Sequence, residues 1–258
     1  MEKDWWKSFF DNHYLSFQLG RPWQNTLQEL NFLESLLGGT EGRLLLDACC
    51  GQGRHAVPLA NEGWRVVGLD YSSALLEKAD LESRKSGTPN SSNPAWVRAD
   101  LRAAPFDAVF DAAICMFTSL GYCEQESDHP AMIASIHQAL KPEGVFILDL
   151  ANRDYLVQHP DATRTWWQAE ESFFLEETRF NPATSQATTR TRRIDPDGRT
   201  EVCEYRIRLF SLHEIANILF QIGFMIEGAY GSYLKDPPVP GAPRLILLCR
   251  KIELTIPE

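Results

Sequence analysis

A short apolar run leads directly into a glycine-containing loop in the stretch Leu44-Leu45-Leu46-Asp47-Ala48-Cys49-Cys50-Gly51-Gln52-Gly53-Arg54-His55-Ala56. An apolar run of this length, bounded by turn residues, is typical of a buried strand. The residues after the loop predict a helix over about residues 54–62, with Gly63 as its C-terminal cap. This strand, loop and helix form the first unit of an alternating α/β fold.

The alternation of strands and helices continues to about residue 150. A second strand is predicted at residues 65–70, with Ser72 as the N-cap of the next helix. Three more short strands are predicted, at residues 96–99, 111–116 and 145–150, and a helix over about residues 131–140 precedes the last of them. Such alternation indicates a doubly wound, mostly parallel sheet with helices on both faces.

After residue 150 the pattern becomes that of antiparallel strands. Strands are predicted at residues 172–180, 188–194 and 201–210, and Asp195-Pro196-Asp197-Gly198 is a hairpin turn. A capping box, Ser211-Leu212-His213-Glu214, then opens a helix that is followed by strands at 225–230 and 245–249. We therefore predict a helical N-terminal segment at 1–40, an α/β core at 41–152 and 211–258, and an inserted antiparallel lid at 153–210.

The composition limits the classes of partner. Twenty-five Lys and Arg against thirty-five Asp and Glu give a net charge of −10, which opposes binding to nucleic acid. We expect six arginines of the lid to form a solvated face; they are Arg190, Arg192, Arg193, Arg199, Arg206 and Arg208. No apolar stretch approaches the roughly 20 residues that cross a bilayer, and acidic residues near the N-terminus argue against a signal peptide. These features predict a cytoplasmic protein with no membrane partner.

The cysteine and histidine spacings predict neither disulfides nor a metal site. The six cysteines include no Cys-x-x-Cys pair, so we expect free thiols. The six histidines form no His-Glu-x-x-His group, so no zinc site is expected. His55 is expected to pack rather than to catalyse.

The loop after the first strand is predicted to bind a ligand, because open α/β sheets bind ligands beyond the carboxyl ends of their strands. Gly51 to Ala56 satisfy the pattern Gly-x-Gly-x-x-Gly/Ala, and Asp70 follows the second strand, so an NAD-dependent oxidoreductase is one interpretation. The carboxylate of Asp47 would repel a pyrophosphate, however, and favours a cationic ligand. S-adenosylmethionine carries a sulfonium and an ammonium group, and Asp70 could accept its ribose hydroxyls.

An ordered set of segments in residues 40–150 resembles the class I S-adenosylmethionine-dependent methyltransferases, particularly members that act on small molecules; the segments are residues 44–53, 66–70, 99–101, 110–114 and 140–145. The resemblance implies a seven-stranded Rossmann-like sheet with an antiparallel lid and S-adenosylmethionine as the cofactor. It also implies that the glycine loop contacts the methionyl and ribosyl parts, that Asp70 holds the ribose and that Asp100 meets the adenine. The implied cofactor-binding residues are Asp47, Cys49, Gly51, Gly53, Asp70, Tyr71, Asp100, Leu101 and Met116. Cys49 departs from the family, which usually has its first glycine at this position.

The function that follows is transfer of a methyl group to a small-molecule acceptor by in-line displacement. His13, Tyr14 and Tyr122 are weak candidates for catalysis, and further acceptor-side candidates are Arg153, Tyr155, Tyr230 and Tyr233. The acceptor atom, the use of a general base and the choice between monomer and homodimer stay open. Two alternatives are the NAD-dependent oxidoreductase and a non-catalytic protein that binds S-adenosylmethionine or its demethylated product, S-adenosylhomocysteine.

Overall fold

Two β-sheets organise the chain in a computed structural model that describes residues 4–17, 25–40, 42–86, 93–159 and 164–253. The strands are β1 Leu44–Ala48, β2 Arg65–Asp70, β3 Ala95–Arg98, β4 Phe110–Cys115, β5 Leu140–Ala151, β6 Arg164–Ala169, β7 Ser172–Asn181, β8 Gln186–Ile194, β9 Thr200–Arg208, β10 Phe224–Tyr230 and β11 Arg244–Lys251. The α-helices are α1 Trp5–Asn12, α2 Tyr14–Phe17, α3 Thr26–Leu37, α4 Ala56–Asn61, α5 Ser73–Ser86, α6 Asp128–Ala139, α7 Arg153–Gln158 and α8 Leu212–Ile222. Short 3₁₀ turns lie at Leu101–Ala103 and Ser119–Tyr122.

The larger sheet has seven strands in the order β10-β11-β5-β4-β1-β2-β3. Strands β1 to β5 pair in parallel, whereas β11 is antiparallel to both β5 and β10. The strand order reverses between β1 and β4, and this is where open α/β sheets form their ligand crevice. The predicted doubly wound fold is therefore confirmed.

Both faces of this sheet are buried, as expected for parallel strands between helices. Leu45 and Leu46, adjacent on β1, point to opposite faces and are each 0% exposed. On one face α6 and α8 contribute Ile133 and Leu219, and on the other Phe32 of α3 packs with the residues around α4. The apolar runs of the sequence thus become a double-sided core that fixes β1 and its loop.

The smaller sheet is antiparallel, in the order β6-β7-β8-β9. It confirms the predicted β-insertion and adds β6, which the sequence analysis missed. One face of this sheet packs on the N-terminal aromatic residues, where the Tyr205 and Phe9 ring centroids are 5.3 Å apart.

Several predicted boundaries shift. Helix α4 begins at Ala56 rather than at residue 54, because residues 51–55 form turns. Strand β5 begins at Leu140 rather than at residue 145, directly after α6. Of the loop predicted at residues 84–94, residues 87–92 lie outside the described residues, and α5 extends to Ser86.

The six cysteines are free thiols. No helix among the described residues is long and apolar enough to cross a bilayer.

Candidate functional site

A cavity of about 320 Å³ lies at the carboxyl ends of β1, β2 and β4, with residues of α1 and α2 on its outer side. Eight of the nine cofactor-binding residues implied by the resemblance line it: Asp47, Cys49, Gly51, Asp70, Tyr71, Asp100, Leu101 and Met116. Of the acceptor-side candidates, Tyr14 and Tyr122 also line it. The structure therefore gathers residues from five separate segments of the sequence around one cavity.

The remaining candidates lie elsewhere. Gly53 is buried with φ +77°, and a Cβ there would approach the Trp96 ring to 2.8 Å and the Ala79 Cβ to 3.2 Å. The absence of a side chain at Gly53 thus permits close packing of helix and sheet behind the cavity. His13 is exposed at the end of α1. Arg153, Tyr155, Tyr230 and Tyr233 are not among the residues that line the cavity.

The glycine loop has a left-handed backbone conformation at Cys49 and Gly51, as well as at Gly53. Cys49 has φ +61° and Gly51 has φ +56°. A left-handed conformation costs a non-glycine residue about 1–2 kcal/mol, so Cys49 accepts strain where the family usually has glycine. The Gly51 N–H donates to Asp70 Oδ2 at 2.8 Å, which fastens the loop to the end of β2.

Asp70 presents a buried carboxylate whose two oxygens each accept a backbone N–H. The donors are Gly51, to Oδ2, and Ser72, to Oδ1 at 2.9 Å. Burial raises the pKa of Asp70, and these hydrogen bonds oppose the increase. Since each carboxylate oxygen can accept a second hydrogen bond, Asp70 is suited to a pair of ligand hydroxyls such as a ribose diol.

Asp47 supplies a carboxylate that the protein leaves partly unsatisfied. Its side chain is 1% exposed, and its Oδ2 has no hydrogen-bond partner among the described residues. Burial raises the pKa of Asp47 to about 7; the charge of Arg54 opposes this increase and that of Asp70 adds to it. A buried oxygen without a donor is costly, so a ligand ammonium at this point in the cavity wall would be stabilising. The residues present fit S-adenosylmethionine.

The third acidic position, Asp100, also lines the cavity. Its carboxylate forms an ion pair with Arg102 at 2.6 Å, and it caps the turn that begins at Leu101 by accepting the Arg102 N–H. The hydrogen bonds from the Arg102 side chain lower the pKa of Asp100. The rings of Trp6 and Tyr71 lie beside it in an edge-on contact at 5.1 Å. An acid beside flat apolar groups is suited to a nucleobase with an exocyclic amino group.

Three aromatic rings, those of Phe10, Tyr14 and Tyr122, form another part of the cavity lining. Phe10 lies 5.0 Å from Tyr14 and 4.9 Å from Tyr122 between ring centroids. Helix α1, which carries Phe10, is held over the cavity by a hydrogen bond of 2.6 Å from Ser72 Oγ to Asp11 Oδ1. Residues of α1 and α2 therefore form part of the cavity wall.

A buried polar group behind the loop was missed in the sequence. Glu29, on α3, is 0% exposed, and its Oε2 accepts hydrogen bonds from Arg54 and, at 2.6 Å, from His55 Nε2. Burial lowers the pKa of His55, so this histidine is neutral at pH 7. Arg54 and His55 both line the cavity, whereas Glu29 lies behind them. A single glutamate in a leucine-rich helix gave no sign of this role.

A second buried polar group supports the wall formed by Phe117. Asp149, at 0% exposure, accepts hydrogen bonds of 2.8 Å from the Phe117 N–H, the Tyr233 hydroxyl and Arg244 Nε. Phe117 and the next residue, Thr118, have φ +60° and +65°, a strained turn that Asp149 stabilises. The Phe117 ring lies between two guanidinium groups, 5.2 Å from Arg54 and 5.5 Å from Arg244.

Within the described residues, four of the six lid arginines form ion pairs with nearby carboxylates. Ion pairs join Arg193 to Asp195, Arg199 to Asp197, Arg206 to Glu204, and Arg208 to both Glu126 and Glu214. Arg190, Arg192, Arg199 and Arg206 are exposed as predicted, whereas the side chains of Arg193 and Arg208 are only 20% and 11% exposed.

Comparison with known proteins gives a consistent picture. Residues 45–144 match the family model described as a methyltransferase domain. A glycine/sarcosine N-methyltransferase from Halorhodospira halochloris is 28% identical over 195 residues, which cover 73% of this chain and 68% of that protein. A 2-phytyl-1,4-naphtoquinone methyltransferase from Nostoc punctiforme is 34% identical over 137 residues, covering 51% and 54% of the two chains.

Solved structures share the fold over nearly the whole chain. The CcbJ methyltransferase from Streptomyces caelestis has a TM-score of 0.80 at 16% identity and covers 96% of this chain and 99% of its own. An amino pentose methyltransferase from Micromonospora echinaspora, bound to S-adenosylmethionine, has a TM-score of 0.65 at 17% identity, with coverages of 90% and 92%. The comparisons give no support to the two alternative functions. The protein is a class I S-adenosylmethionine-dependent methyltransferase, an enzyme with S-adenosylmethionine as its cofactor.

Proposed function

We propose that the enzyme methylates the nitrogen of a small-molecule amine bound beside the aromatic residues of the cavity. The observation that carries this proposal is the cluster of Phe10, Tyr14 and Tyr122 on the cavity wall. Aromatic faces attract an amine, which is cationic before it loses its proton. The names of the glycine/sarcosine and amino pentose methyltransferases support an amine acceptor.

The proposed cofactor contacts follow from the chemistry of each wall. Asp47 would face the ammonium, Asp70 the ribose hydroxyls, and Asp100 with Leu101 the adenine, while Cys49, Gly51, Tyr71 and Met116 would complete the walls. When bound, S-adenosylmethionine supplies a methyl group on a sulfonium, which is a good leaving group.

The protein's contribution to the reaction is then mainly positioning. Phe117 and the aromatic cluster exclude water from the cavity, and the Tyr14 and Tyr122 hydroxyls can orient a polar acceptor. Holding the acceptor nitrogen in line with the bond that breaks, at about 3–3.5 Å from the methyl carbon, supplies much of the rate enhancement. We therefore propose Tyr14 and Tyr122 as acceptor-positioning residues.

Methylation of matched acceptors tests this proposal. Mass spectrometry with pairs of small amines and the corresponding alcohols should show amine products heavier by one methylene, with formation of S-adenosylhomocysteine. Tyr122→Ala should raise the acceptor KM at least tenfold while calorimetry shows unchanged cofactor affinity, and Tyr122→Phe, which keeps the ring, should have a smaller effect. Turnover of alcohols in preference to amines would refute the amine assignment.

Asp70→Ala tests the proposed ribose contact. We expect the substitution to weaken cofactor binding by about 1–3 kcal/mol, because charge-assisted hydrogen bonds to the ribose and the support of the Gly51 N–H are lost. Isothermal titration calorimetry measures the change, and the exposed Asp107→Ala serves as the matched control. If affinity is unchanged, Asp70 does not hold the ribose.

A further inference from the structure

One face of the four-stranded sheet carries an exposed apolar patch. Trp166 is 68% exposed, and Phe173, Leu175 and Val202 are each 46% exposed. The strand register pairs Trp166 with Leu175, so these side chains share one face. The opposite face is covered, with Phe174 at 0% exposure and Tyr205 at 5%. Clustered large apolar side chains on a sheet face mark an interaction surface.

A row of charges borders this patch. The register places Glu177 between Arg164 on β6 and Arg190 on β8, and Glu204 on β9 beyond Arg190. Paired residues of antiparallel strands lie on the same face, so the four side chains form a row with alternating charges. Read across the sheet from β6, the order is positive, negative, positive, negative.

This row of charges is complementary to a second copy of the same row that runs in the reverse order. A two-fold axis parallel to the strands would place a second sheet face to face with the first and would reverse the row. Arg164 then faces the partner's Glu204, and Glu177 faces the partner's Arg190. Leu175 faces the partner's Arg192, whose aliphatic stem can cover it. Every charge in the row meets its opposite, which is the property of an isologous interface.

The size of the face suits a stable dimer. Its strands have six to ten residues, so at about 3.3 Å per residue and 4.8 Å between strands the face measures about 19 by 30 Å. That footprint of about 570 Å² is of the same order as the roughly 800 Å² per partner that stable interfaces bury.

We propose that this face binds the same face of a second copy, so that the protein is a homodimer joined through its four-stranded sheets. Face-to-face sheets of this kind pack about 10 Å apart with their strands within about 30° of each other. The cavity stays open in this arrangement, because the N-terminal helices lie on the covered face of the sheet.

The mass in solution tests the proposal. Light scattering on the full chain at about 50 µM should give twice the 29.3 kDa of one chain. Leu175→Arg, which places a cation opposite the partner's Arg192, should raise the dimer dissociation constant at least a hundredfold and yield monomer. Leu234→Arg is the matched control, because Leu234 is 71% exposed and lies outside the patch; its dimer should persist.

Exchanging the charges of Arg190 and Glu177 distinguishes a specific loss of the dimer interface from a general loss of stability. Arg190→Glu should dissociate the dimer, because it places two carboxylates opposite each other, and the double variant Arg190→Glu, Glu177→Arg should restore it. Thermal unfolding of each variant reports whether the fold is intact. A monomeric wild-type chain, or a dimer that persists in folded Leu175→Arg, would overturn the proposal.

Discussion

Replacing Asp149 with alanine is expected to lower the free energy of unfolding by about 3–5 kcal/mol. The substitution leaves the Arg244 guanidinium, 17% exposed, without its carboxylate, and it removes the acceptor of the Phe117 N–H and the Tyr233 hydroxyl. A buried charge without its partner loses both solvation and ion pairing, which makes this loss much larger than that of a surface pair. The left-handed Phe117–Thr118 turn also loses its main support.

Urea denaturation measures this effect, with Asp197→Ala as the matched control. Asp197 also pairs with an arginine, but its side chain is 54% exposed, so its loss should cost less than about 1 kcal/mol. The double variant Asp149→Leu, Arg244→Met should recover much of the stability, because it removes both charges together. A loss for Asp149→Ala as small as the control's would contradict this account.

The fold was largely predictable because its signals are local. The apolar run 44–46, the glycine loop and Asp70 are close in the chain, and their spacing indicates strand, turn and helix directly. Strand β6 was missed, since Arg164–Ala169 has two polar residues, then two tryptophans, then a glutamine, and so lacks the period-two alternation that indicates a strand.

The site was predictable only in part, because its supporting contacts are long-range. Asp149 and Arg244 are 95 positions apart and Glu29 lies 25 positions before Arg54, so no spacing rule joins them. Gly53 fits the family's binding pattern, but whether it contacts a ligand or packs against Trp96 depends on the position of β3. The sequence motifs thus predicted where the cavity lies, whereas the buried polar contacts that support its walls could be identified only in the folded structure.

The second large effect is expected at Asp47, whose replacement by asparagine should weaken cofactor binding by about 2–5 kcal/mol, as for the loss of one partner of a buried charge pair. The side chain keeps its shape but no longer offers a charge to the proposed ammonium. In the wild type only the ionised carboxylate binds well, and with a pKa of about 7 roughly one molecule in ten is ionised at pH 6. Affinity at pH 6 should therefore be about tenfold weaker than its limit above pH 7.

The same ionisation sets the pH dependence of stability without cofactor. Because folding raises the pKa of Asp47 above its ordinary value of 3.8, the folded state holds the proton more tightly, and its stability should fall as pH rises from about 4 to about 7. Cofactor binding near pH 6 should release close to one proton, measurable by calorimetry in buffers of different ionisation enthalpy. Asp47→Asn should abolish this proton release. Its free energy of unfolding should also fall less than that of the wild type between about pH 4 and about pH 7. If the variant instead titrates like the wild type, the ionisation belongs to another group, and Asp47 is not the residue that selects a cationic cofactor.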